Sequence, residues 1–251
     1  MVADFGYFNK HTDNGYDFSV LFNTPIQFPV AWNKSRIDGF TGRVNLVEHG
    51  GFSAFFVMAH TNAIYSPPGA GGLLLEQPEG DFRIDHDQRF NSTTNVQYVF
   101  EKRTGAWAAL SWRYDSGLVA GSVGSLEDAL ALTADQQAAI GLFCGGASAA
   151  LGSPLTSAEC NAANFGATRV RIPADGTEDD VNNPPRIAPR HLFDLGVGGD
   201  NLLHTNSAKL RVRFSVLNLT NRVALYNFLS TFSGTHFVTP RAYQVQVGLT
   251  F

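Results

Sequence analysis

The chain has 251 residues, with 18 Lys and Arg against 22 Asp and Glu, a formal charge of −4. That balance lacks the basic footprint of a nucleic-acid binder, and 25 glycines and 20 phenylalanines in a chain only 16% charged are unlike disorder, which is charge-rich and aromatic-poor. Two cysteines exclude a disulfide-dense scaffold, and no stretch supplies the ~20 mostly apolar residues of a membrane helix.

The opening MVADFGYFNKHTDNG has neither the basic nor the apolar region of a signal peptide, so none is expected in this stretch. The dominant pattern beyond it is period-two alternation, the mark of half-buried strands. Phe40, Val44 and Leu46 alternate with Thr41, Arg43 and Asn45. The run Phe52–Tyr65 is apolar on both faces in its first half, and its faces stay unassigned. Phe90, Thr94, Val96 and Tyr98 alternate with Asn91, Asn95 and Gln97. Ala108, Leu110, Trp112 and Tyr114 alternate with Trp107, Ser111 and Arg113. Phe193, Leu195 and Val197 alternate with Asp194, Gly196 and Gly198, and Leu210, Val212, Phe214 and Val216 with Lys209, Arg211, Arg213 and Ser215. The last segment is the cleanest, with Tyr243, Val245, Val247, Leu249 and Phe251 against Gln244, Gln246, Gly248 and Thr250. Eight strands are expected, ending near residues 17, 49, 65, 101, 115, 203, 229 and 251.

Short polar connections at 49–51, 102–105 and 204–207 alternate with long ones at roughly 20–34, 66–88, 118–189 and 230–240. A membrane β-barrel does this, with tight turns on one side and long loops on the other. A soluble sandwich has no reason to place every long loop at one end, though Greek-key crossovers reproduce part of the pattern. Arg211 and Arg213 would cost ~2–4 kcal/mol each facing lipid at midplane, so their face is assigned to a lumen. Trp107, Tyr98, Phe100, Tyr243 and Phe251 fall near strand ends, where aromatic girdles sit. The expected fold class is therefore all-β: an antiparallel up-and-down transmembrane β-barrel segment of about eight strands from a larger barrel. Residues 116–189 are expected as a long extracellular loop with one short helix, Thr133–Phe143, capped by Thr133. Cys144 and Cys160 follow it, and are read either as a bridge in an oxidising compartment or as two free thiols in a reducing one.

No catalytic constellation is visible, so no enzyme and no cofactor are expected. None of the seven histidines sits at a metal-ligand spacing. Asp85-His86-Asp87 is a compact charged triplet in which a strand would place Asp85 and Asp87 on one face. It is either a weak candidate for substrate or cation contact, or a solvated lumen-facing patch. Asp175 with Glu178, Asp179 and Asp180 is either a calcium-binding loop or a plain acidic one.

The stretch LRVRFSVLNLTNRVALYNF, a loop, and then PRAYQVQVGLTF resembles the final hairpin of TonB-dependent outer-membrane receptors. That family shows an aliphatic strand running into an Asn-Leu-x-Asn motif, here Asn218-Leu219-Thr220-Asn221, then a loop and a terminal alternating strand ending in an aromatic residue. FRIDHDQRFNSTTNVQYVF and WRYDSGLVAG are similar to its large carboxypeptidase-regulatory-like members. The resemblance implies that residues 1–251 are the C-terminal portion of a receptor barrel whose plug and remaining strands lie elsewhere. It implies residence in a Gram-negative outer membrane and energised uptake of a scarce solute such as a siderophore, cobalamin, oligosaccharide or peptide. The partners implied are outer-membrane lipid, the rest of the barrel with its plug, TonB through that plug only, and the barrel-assembly machinery. That machinery would read Tyr243, Val245, Val247, Leu249 and Phe251. The competing expectations are a self-contained small outer-membrane barrel and a secreted β-sandwich binding module.

Overall fold

Alternating side chains on consecutive segments force extended backbone, and tight Gly-containing turns join the segments antiparallel. The computed structural model describes residues 1–20, 27–67, 80–205, 207–230 and 233–251. The first strands are β1 (Val2–Val20), β2 (Gln27–His49), β3 (Phe52–Ser66), β4 (Phe82–Arg83), β5 (Phe90–Glu101) and β6 (Ala106–Asp115). Next come α1 (Leu126–Ala131), α2 (Ala134–Ile140), β7 (Leu142–Cys144), β8 (Ala147–Ser148), β9 (Phe165–Ala167), β10 (Val170–Arg171) and β11 (Arg186–Ile187). The chain then returns through β12 (Arg190–Gly199) and β13 (Lys209–Leu217), makes a small hairpin of β14 (Leu225–Ser230) and β15 (Gly234–Phe237), and ends in β16 (Ala242–Thr250).

Eight long strands form one antiparallel sheet in the order β1-β2-β3-β5-β6-β12-β13-β16, with β4 added to β3. Every long strand pairs with its sequence neighbour among the long strands, the up-and-down arrangement. The path ends at β1 and β16, which are not paired to each other among the described residues, so the sheet is open.

One expectation is corrected: the strand expected to run to residue 229 stops at Leu217, and Leu225–Ser230 leaves the sheet to pair with Gly234–Phe237. The helix expected over 133–143 with Thr133 as its cap is present as α2, and a second short helix, α1, precedes it unforeseen. Ser125 caps α1 and Thr133 caps α2, each with a reciprocal capping box through Asp128 or Gln136. Gly141 in the left-handed region ends α2, donating its N–H to Ala138 O.

The buried apolar core is not under the sheet. Its largest cluster joins Val123, Ala129, Ile140, Leu142, Val170 and Ile187 of the 116–189 segment to Leu225 and Phe228 of the β14–β15 hairpin. That segment is thus a folded cap, its interior completed by the β14–β15 hairpin. Cys144 and Cys160 are joined by a disulfide inside it. A second, smaller cluster gathers Trp32, Ala63 and Ile84 where β2, β3 and β4 meet.

Candidate functional site

Register resolves the sheet into two chemically distinct faces. Across the strands run the rows Val44–Phe56–Thr94–Trp112–Phe193 and Leu46–Ala54–Val96–Leu110–Leu195–Val216–Tyr243. A third joins Phe52, Tyr98, Ala108, Val197, Phe214 and Val245. This pairing assigns the run that sequence left open: Phe52, Ala54, Phe56 and Met58 belong to the apolar face, and Ser53, Phe55, Val57 and Ala59 to the other. Among the described residues no second sheet stacks on the apolar face, and of the residues in these rows only Val216 is buried. Phe5 is 73% exposed, and Tyr243, Val245, Val247 and Leu249 are all more than half exposed.

The apolar band has sharp limits. On the β1–β2 pair it ends at Tyr7 and Phe40, whose ring centroids are 5.2 Å apart. One step further the same face carries Asn9 opposite Asp38, then His11 opposite Arg36. Around the upper edge, Trp112 stacks on both His191 and Phe193 and donates its indole N–H to His191 Nδ1 at 3.2 Å. At the short-turn end Tyr98, Phe100 and Phe251 are exposed. Along β16 and the residue that follows it the band spans Tyr243 to Phe251, about 27 Å at ~3.4 Å per residue.

The opposite face is polar. Its rows include Asn45–Phe55–Asn95–Ser111–Asp194 and Gln97–Ala109–Gly196–Ser215–Gln244. Arg113 meets Asp194 at 3.5 Å across it. Trp107 lies on this face, not in a girdle. Its ring rests on Gly196 and Gly198, where a Cβ on Gly198 would approach the indole to 2.9 Å. The Arg213 guanidinium sits 5.5 Å from the same ring, and its Nε donates to Ser215 Oγ at 3.1 Å.

The described parts of the connections at 82–89, 116–189 and 218–241 meet at one end of the sheet, and buried charges fasten the cap there. Asp87 is fully buried. It accepts from Ala63 N–H at 2.9 Å and pairs with Arg83 at 3.3 Å and with Arg186. Arg186 also donates to the Asp87 carbonyl at 3.0 Å. Burial pulls the Arg186 guanidinium below its ordinary range, and Asp87 opposes that pull. Arg190, also buried, donates to Asp115 at 2.9 Å and to Leu225 O at 2.9 Å, with the Tyr226 ring 5.0 Å away.

The triplet Asp85-His86-Asp87 occupies a turn, not a strand, so its two carboxylates do not share a strand face. Asp85 accepts from Ser230 Oγ at 2.5 Å, tying the turn to the β14–β15 hairpin, while His86 is exposed. A carboxylate buried in ion pairs, as Asp87 is, holds the cap in place and does not meet solute from solvent. Asp179 accepts from the N–H groups of Val181 and Asn182 at 2.8 and 2.6 Å, an Asx turn that orders the acidic loop. No group of three metal-ligating side chains occurs among the described residues.

Sequence reasoning missed Arg83, Arg186 and Arg190, which carry no local pattern. Asn218 was visible in the Asn-Leu-x-Asn motif, and the structure supplies its physical role. It is buried with φ 48°. Its amide donates to Arg222 O and Thr239 O at 2.9 and 3.0 Å, and its Oδ1 accepts from Arg222 N–H at 2.8 Å. Asn221, at φ 51°, accepts from Arg241 N–H at 3.1 Å. The motif ties the end of β13 to the start of β16.

No protein-family model and no curated protein sequence matches this chain.

Proposed function

We propose that residues 1–251 form the C-terminal part of the transmembrane wall of a TonB-dependent receptor barrel in a Gram-negative outer membrane. Segment 116–189 is then its extracellular cap. The observation that carries this reading is the uncovered apolar face, continuous over eight strands and bounded by aromatic residues. Water-exposed apolar patches of this extent are rare on soluble monomers, whereas lipid requires one. The polar face would line the lumen. The short turns at 49–52 and 101–106 would face the periplasm, and the capped end the outside.

The edges of β1 and β16, unpaired among the described residues, fit a segment of a wider barrel better than a self-contained one, because lipid tolerates no unsatisfied strand edge. A β-sandwich would need a second sheet over the apolar face. The activity is transport, not catalysis: the chain contributes wall, loops and the terminal strand Tyr243–Phe251 for the assembly machinery, while TonB acts through a plug.

The test places the environment-sensitive fluorophore NBD on a cysteine at Val245 or at Gln244 in the whole receptor reconstituted in lipid vesicles. Spin-labelled lipid quenches the probe at Val245 and spares it at Gln244. Equal quenching at both positions, or a chain that stays soluble and monomeric without detergent, overturns the barrel wall. For transport, uptake of solute by cells carrying the whole receptor collapses when the proton gradient is dissipated; unaffected uptake refutes the TonB reading alone.

A further inference from the structure

The cap contains a cleft of about 780 Å³ that no part of the wall reading uses. That volume lies within the range of small-molecule sites, roughly 300–1,000 Å³. Its floor is apolar. Leu126 and Leu130, one turn apart on α1, face Pro154 and Leu155 across it. The cleft is framed by built structure. Gln137, fully buried beneath it, donates its amide to Leu132 O at 3.4 Å and to Leu155 O at 3.2 Å, and accepts from Leu155 N–H at 2.7 Å. The disulfide holds Cys160 in the wall.

The charge around this floor has one sign. Exposed Glu127 and Asp175 line the cleft, and no Lys, Arg or His does. Residues 116–189 hold eight carboxylates and three arginines, a net of −5, more negative than the whole chain at −4. Two of those arginines are already committed: Arg169 to the carbonyls of Ala138 and Ala139, and Arg186 to Asp87. The third, Arg171, donates to Asn183 at 3.2 Å. Burial and then Asp180, Asp128 and Asp179 push the Glu178 carboxyl above its ordinary range. Glu178 packs against Gly124, just ahead of α1.

We propose that this cleft is a binding site for a small molecule with an apolar body and a cationic group, the body on Leu126, Leu130 and Leu155 and the cation between Glu127 and Asp175. An anionic ligand would meet uncompensated repulsion there, and a sugar would leave the apolar floor without a partner. The inference stands apart from the membrane reading, because it concerns the folded cap whether or not the sheet spans a bilayer.

The test uses the full chain folded in a zwitterionic detergent and two fluorescent probes. Dansylcadaverine carries an apolar ring system and an amine; dansyl-aminohexanoate carries the same rings and a carboxylate. Dansylcadaverine is expected to bind saturably and about tenfold or more tighter than its anionic counterpart. Joint Glu127→Gln and Asp175→Asn substitution should bring the two probes to within about threefold. Ala131→Trp, at an exposed position lining the cleft, should weaken dansylcadaverine by about tenfold by filling the space, with the melting profile unchanged. If that variant fails to fold, Ser157→Trp, in an exposed turn lining the same cleft, is read in its place. Equal affinity for the two probes, unsaturable uptake, or binding indifferent to the occluding tryptophan overturns the proposal.

Discussion

Asp87 and Arg186 lie 99 residues apart in the chain and form a buried ion pair where the folded cap meets the rim of the sheet. Taking both charges out of water is costly, and the cost is offset only because each is further hydrogen-bonded: Asp87 by Ala63 N–H and Arg83, Arg186 by the Asp87 carbonyl. Removing one partner strands the other. Asp87→Ala is therefore expected to cost about 3–5 kcal/mol and to free the cap, measured as faster limited proteolysis across 116–189 and a lower unfolding midpoint. The double variant Asp87→Ala with Arg186→Met should recover much of that loss, since an apolar side chain needs no counter-charge. A double variant no better than the single would show that the pair matters through something other than burial of charge.

Adjacent residues on β16 face opposite ways, so one strand can report both environments. Val247→Arg should lower stability in bilayers by about 2–4 kcal/mol, while Gln246→Arg, beside it on the polar face, should change little. Denaturant unfolding of the lipid-reconstituted chain measures both. Equal tolerance at the two positions would remove the case for lipid contact.

The Cys144–Cys160 bond closes a loop with 15 residues between the cysteines in the middle of the cap. Chain-entropy reasoning assigns such a closure about 3 kcal/mol. The double Cys144→Ala, Cys160→Ala variant should lose about that much cap stability, with the sheet's circular dichroism retained. Mass spectrometry of the oxidised protein should find the bridged peptide, and two alkylatable thiols would refute the bond.

The acidic crowding around Glu178 makes a signed pH prediction. Its folded-state affinity for a proton is raised, first by burial and then by Asp180, Asp128 and Asp179. Folding therefore gains from protonation: the contribution is full below the unperturbed value of 4.5 and is lost as pH rises through the raised folded value. Glu178→Gln removes the ionised form, so it should melt at a higher temperature than the parent at pH 7. The gap should close as pH falls below 4.5. Thermal melts at a series of pH values check this, and a variant less stable than the parent at neutral pH would contradict it.

Much of the sheet is legible in the alternation of side chains alone. Period two is a backbone geometry, so Tyr243, Val245, Val247 and Leu249 share a face wherever β16 lies, and seven of the eight strands end within a few residues of where alternation places them, the exception being β13, which stops at Leu217. Phe52–Tyr65 is not legible in this way, because with apolar residues at both parities only pairing with β5 separates the faces. Trp107 reads two ways in the sequence, as a girdle residue by its nearness to a strand end and as a partner of Ser111 and Arg113 by parity; the structure follows parity and sets it beside Arg213 over two glycines.

What the sequence by itself determined is which side chains alternate, where the short turns fall, and which asparagines begin the last connection, because these depend on neighbours a few residues away. The cap was decided only by tertiary structure. Its core draws Val123, Ile140, Leu155, Val170 and Phe228 from segments with no common period, and its anchor joins Asp87 to Arg186 across most of a hundred residues. Such contacts leave no periodic trace, because burial there is set by which surfaces meet in space and not by spacing along the chain.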